Sequence, residues 1–194
     1  MPHTARRLHA WLISDVGRNK MSRLGYEASI AELKRRGFLG QDEQPAIPRS
    51  IPSPLDEDPH GVSFFRTRVE GDLSGLSLPR TFVCLSEVRD CRLIDTDLSE
   101  SFLCWNDFID VDFSLAVLRG ADLRSSIYTR VRFVGADLSG ADLRRLTFEN
   151  CDFTAAIFVG AKVSRSQTKG LIISPEQKKR VEFSWFSGEE PAGG

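Results

Sequence analysis

The stretch Gly135–Phe153, GADLSGADLRRLTFENCDF, sets Leu138, Leu143, Phe148 and Phe153 five residues apart. An α-helix repeats its apolar positions near every 3.6 residues and a strand every 2. Five suits neither. Stepping by five in both directions from Leu138 gives twenty centres, from Leu73 to Thr168, and nineteen of them are apolar. A chain of this composition would give about eight. Two residues before each centre, seventeen of the twenty are Gly, Ala, Ser, Thr, Cys or Val; Leu76, Asn106 and Leu146 are the exceptions. The phase holds from Gly71 to Gly170.

The pentads ADLRS from Ala121, ADLSG from Ala136 and ADLRR from Ala141 carry the pattern A-(D/N)-L-x-x. In this the stretch resembles the pentapeptide-repeat family. The resemblance implies a mainly β fold, a right-handed quadrilateral parallel β-helix with four pentads to a square coil. The large centre and the small residue before it then point inward, and the other three positions face solvent. Twenty pentads make about five coils, a rod roughly 24 Å long at about 4.8 Å per rung.

With four pentads to a coil, residues twenty apart stack. One outward column then reads Asp72, Arg92, Asp112, Arg132, Asp152, and its alternating signs support a parallel ladder. A second face reads Phe82, Phe102, Asp122, Asp142, Lys162 just before the centres. One residue after the centres it reads Cys84, Cys104, Arg124, Arg144, Ser164; two after, Leu85, Trp105, Ser125, Arg145, Arg165. Phe82, Leu85, Phe102 and Trp105 are thus expected to point outward as an adhesive patch. The expected cover is the N-terminal segment of the same chain, with a partner protein as the alternative. Further along, Arg124, Arg144, Arg145 and Arg165, with Asp122 and Asp142, form a candidate partner-binding stripe.

The repeats end on both sides. Residues 1–40 read as a helical cap segment: Leu8, Trp11, Leu12 and Val16 stand at helical spacing, and YEASIAELKRRGF ends in a basic turn and Gly37. Residues 4–36 carry eight basic and three acidic residues, so two short basic helices for nucleic acid are the competing reading. Residues 41–60 read as a linker, with prolines at 45, 48, 52, 54 and 59. The β-helix proper is assigned to 61–170. Ser174-Pro175-Glu176 opens a helix expected to run to about Trp185 within a cap at 171–187, with Val181, Phe183, Trp185 and Phe186 as apolar cover. The resemblance also implies dimerisation through this cap as an option. Residues 188–194 read as a disordered tail.

The rest of the chain offers no chemistry to an enzyme. His3, His9 and His60 lie outside the repeats, and the chain contains no GxSxG, HExxH, P-loop or dinucleotide fingerprint. Cys84, Cys91, Cys104 and Cys151 show no CxxC and no metal-ligand spacing, so neither metal nor cofactor is expected. A net charge of −1 gives no bias toward nucleic acid or anionic membrane. With no long apolar run and no signal-peptide core, the expected compartment is the cytoplasm.

The expected function is therefore a non-enzymatic protein-protein interaction module. Its most specific form is an immunity-type inhibitor that binds and neutralises a toxin or effector. The resemblance supplies the runner-up, an acidic rod that mimics DNA and binds DNA gyrase, as in quinolone resistance. Residues 71–170 carry fourteen acids and twelve bases, a weak match to a duplex with one charge about every 1.7 Å. A generic scaffold or adaptor is the third reading.

Overall fold

In the computed structural model of the chain, residues 23–39, 62–164 and 168–184 are described. They form a parallel β-solenoid of about five turns with two short helices, the fold the resemblance implies. The twenty-residue stack is explicit in the bridges. Arg92 pairs with Asp112, Asp112 with Arg132 and Arg132 with Asp152 along one side. Val88 pairs with Phe108, Phe108 with Tyr128 and Tyr128 with Phe148 along another. Each coil has four sides in chain order; their centres in the first full coil are Leu73, Leu78, Val83 and Val88, all buried.

Coils turn at the second residue after each centre, where the backbone enters the left-handed region. Leu85, Asp95, Trp105, Ser125, Arg145 and Ala155 have φ between 51° and 58° there. Non-glycine residues hold this conformation at a cost of about 1–2 kcal/mol each, so the coil is closed by its inter-rung hydrogen bonds and its core. Aromatic centres make that core. Phe113, Phe133 and Phe153 stack on the first side at 5.3 and 5.0 Å, and Phe108 stacks on Tyr128 at 4.7 Å on the fourth.

The solenoid starts before Leu73. Strand β1 (Ser63–Phe65) pairs with β3 (Phe82–Cys84), and β2 (Arg68–Asp72) pairs with β4 (Glu87–Arg92). Ser63 meets Phe82 and Val69 meets Val88, nineteen residues apart, while Gly71 meets Cys91, twenty apart. One residue is missing from the phase here, which hides Phe64 and Val69 from a strict five-residue count although both are buried.

This extra half-coil covers only the third and fourth sides. Helix α1 (Tyr26–Arg35) closes the other two. The buried Ser29 hydroxyl accepts from the Ser77 N–H at 2.8 Å, the Gly75 carbonyl accepts from Leu24 N–H at 2.9 Å, and Leu33 enters the main core. The Arg23 guanidinium donates to Asp95 at 2.8 Å. This part of the N-terminal cap thus sits on the open end, not on Phe82, Phe102 and Trp105 as expected. The unpaired edge amides of the first coil decide the placement, because a buried N–H needs a partner. The expected helix around Leu8 to Val16, the 41–60 linker and the 188–194 tail lie outside the described residues.

At the other end Thr168 meets Leu146, twenty-two residues back, so it does not stack on Phe148. The cap helix is also shorter than expected. Helix α2 is one turn, Pro175–Lys178, held by a capping box between Ser174 and Gln177. The chain then returns as strand β6 (Glu182–Ser184) against β5 (Lys162–Ser164). Gly160 N–H donates to Arg180 O at 3.0 Å and Glu182 N–H to Ala161 O at 2.8 Å. Filling the open sheet edge outcompetes extending the helix. Val181 is buried as expected; Trp185 and Phe186 lie outside the described residues.

Candidate partner-binding face

Among the described residues the third side is the longest column, running Ser63, Phe82, Phe102, Asp122, Asp142, Lys162, Glu182. Phe82 and Phe102 leave the main core and form a separate cluster with Cys84 and Cys104, against Phe65. Their rings stack at 5.1 Å and 3°. They are 0% and 4% exposed, whereas Leu85 and Trp105, at the adjoining corners, are each 45% exposed. The Trp105 ring meets Phe102 edge-on at 6.4 Å. The expected patch therefore divides into a buried aromatic floor and two half-exposed apolar corners.

Below it the charges are locked in forks. Asp122 accepts from the Arg124 N–H, Nε and Nη2 at 3.1, 2.9 and 2.7 Å. Asp142 does the same for Arg144 at 3.2, 2.8 and 2.5 Å. Each Asp thus closes its own turn and orients the arginine two residues on. Arg124 Nε also lies 3.7 Å from Asp142 Oδ2 on the next rung. The hydrogen bonds to Asp122 and Asp142 hold Arg124 and Arg144 above the usual arginine range, against the opposing effect of burial. The stripe expected to be basic is a neutral zipper with fixed donor geometry. Arg145 is exposed at the corner with φ 58°, and Arg165 lies outside the described residues.

The family model of pentapeptide repeats matches residues 89–124 and 132–166, in eight copies. The solenoid is a pentapeptide-repeat domain. Among solved structures, a pentapeptide repeat protein from the Arabidopsis thaliana thylakoid lumen is 25% identical, covering 58% of this chain and 72% of that chain with a TM-score of 0.39. Rfr23, a pentapeptide repeat protein from the cyanobacterium Cyanothece 51142, is 20% identical, with 64% and 76% covered and a TM-score of 0.35. Full-length QnrB1, a plasmid-mediated fluoroquinolone resistance protein, is 16% identical, with 63% and 82% covered and a TM-score of 0.32. No curated protein matches the chain.

Elsewhere on the pentapeptide-repeat domain, acids are paired in the same manner. Asp110 binds Arg130 at 2.5 Å, Asp112 binds Arg132 at 3.2 Å and Asp137 binds Arg119 at 2.5 Å. The alternating column is real, but its ion pair at Asp72–Arg92 is loose, at 3.9 Å. An open groove of about 900 Å³ lies on the last coil, where Ile157 and Ile172 are exposed beside Gln177. Among the described residues no helix is long and apolar enough to cross a membrane, and no group of three or more His, Cys, Asp or Glu could hold a metal ion.

Two features escaped the sequence. Phe65 is hidden by the phase slip, although VSFF repeats the small-then-aromatic pattern one residue early. The forks were not legible because the column reading placed Asp122 and Arg124, and Asp142 and Arg144, in separate outward columns; the turned corner closes each Asp onto the arginine two residues on.

Proposed function

We propose that this chain is a non-enzymatic protein-binding module working in the cytoplasm, and that its third side is the binding face. The supporting observation is the face itself: Leu85 and Trp105 stand half exposed on a rigid aromatic floor, continuous with the Asp122–Arg124 and Asp142–Arg144 forks. A half-buried tryptophan beside oriented polar groups is the usual anatomy of a binding hot spot. An immunity-type inhibitor of a toxin or effector is the most specific form of this reading.

The DNA-mimic alternative fits the surface less well. Asp110, Asp112, Asp122, Asp137 and Asp142 each carry an arginine, so these five acids do not present free negative charge. Affinity capture from the native cell should return one stoichiometric partner, lost with Trp105→Ser or Arg145→Glu at unchanged melting temperature. Capture unaffected by both changes would remove the third side from consideration. Protection of gyrase supercoiling from a quinolone at micromolar protein would favour the mimic instead.

A further inference from the structure

We infer that Cys84 and Cys104 form a two-thiolate binding site for copper(I). Each cysteine follows the centre of the third side, in consecutive coils. The two rungs are fixed against each other: Phe82 bridges Phe102, and Val83 N–H donates to Phe102 O at 2.8 Å. The two thiols are buried in one cluster with Phe82 and Phe102, against Phe65. Neighbouring rungs lie about 4.8 Å apart. Two metal–thiolate bonds of about 2.3 Å placed end to end span about 4.6 Å. A linear S–Cu–S unit therefore bridges the rungs with the backbone in place.

Ligand number selects the ion. Among the described residues no third Cys, His, Asp or Glu completes a group here, so the four-coordinate closure that zinc takes in structural sites is missing. Soft thiolates favour copper(I), which accepts two ligands. Asp122 and Arg124 face Cys104 with opposite signs, and Arg66 lies 5.3 Å over the Phe65 ring. The half-exposed Leu85 and Trp105 directly follow Cys84 and Cys104 in sequence.

Binding breaks two S–H bonds and forms two S–Cu bonds. Two protons pass to solvent, and copper stays in its +1 state. This site is independent of the partner-binding proposal.

The test uses the full chain, reduced with a phosphine and without oxygen, with copper(I) delivered from and competed by a colorimetric copper(I) chelator. One equivalent should bind. X-ray absorption at the copper edge should show two sulfur neighbours and no nitrogen or oxygen. Cys91→Ser/Cys151→Ser should bind like the parent chain. Cys84→Val/Cys104→Ala keeps the pocket apolar and should retain the fold by circular dichroism while losing affinity at least 100-fold. Undiminished binding in that variant, copper on Cys91 or Cys151, or a disulfide lighter by two hydrogens with no copper would each overturn the inference.

Discussion

Asn106 breaks the small-residue rule of the repeat, and the coil uses it. Its Oδ1 accepts from Ser86 N–H at 3.0 Å, its Nδ2 donates to Val83 O at 2.8 Å, and its own N–H donates to Ser126 Oγ at 3.1 Å. Ser86, Asn106 and Ser126 form a buried polar ladder at the corner between the third and fourth sides, with every bond made. Removing one partner leaves a buried donor and acceptor bare. Asn106→Ala should lose about 2–4 kcal/mol in urea unfolding. Asn106→Ser should lose less, because Ser86 and Ser126 already serve the same position. Equal losses in the two variants would mean that volume, not hydrogen bonding, sets the cost.

At the scale of the element, the corners and the two end caps carry the strain and the charge. Ala155 holds φ 58° where the neighbouring corners use Gly135, Gly140 and Gly160. Ala155→Gly should raise stability by about 0.5–1 kcal/mol, relief of the left-handed backbone being partly offset by unfolded-state entropy. Gly170 has no such latitude. A Cβ there would sit 1.9 Å from Phe148 O, a backbone atom, so Gly170→Ala should cost at least about 2 kcal/mol and loosen the last rung first. In helix α1, hydrogen bonds from Arg35 and Arg36 hold the Glu32 carboxyl at about 2, down from 4.5. Arg130 similarly lowers Asp110. A depressed carboxylate contributes stability that is present above its unfolded value and lost as pH falls through its folded value. Melting temperature should therefore hold from pH 8 to about 5 and decline between about 5 and 2. Glu32→Gln should flatten part of that decline.

Across the whole molecule, packing is graded along the axis. The later coils carry the stacked Phe113–Phe133–Phe153 column, while the first coils are lined by Leu73, Val83, Val88 and Leu93 around a void of about 30 Å³. Stability in a solenoid is a sum of unit and neighbour terms. Backbone amides of Phe133 and Leu138 should therefore exchange more slowly than those of Leu73 and Leu78. Val88→Ile, which adds one methylene toward the void, should gain up to about 0.8 kcal/mol and narrow that difference. Uniform exchange along the rod would contradict the gradient.

The five-residue period determined the inward centres, and the family resemblance it carries implied the coil of four pentads and, with it, the vertical neighbours. Leu138, Leu143, Phe148 and Phe153 are buried as GADLSGADLRRLTFENCDF required. Tertiary structure decided the ends. The missing residue before Gly71, the seat of α1 on Gly75 and Ser77, and the return of β6 follow from edge amides that need partners, which a periodic count does not register. It also decided the chemistry of the third side. Turned corners lock Arg124 and Arg144 onto Asp122 and Asp142, and stacking brings Cys84 against Cys104 across twenty residues of chain.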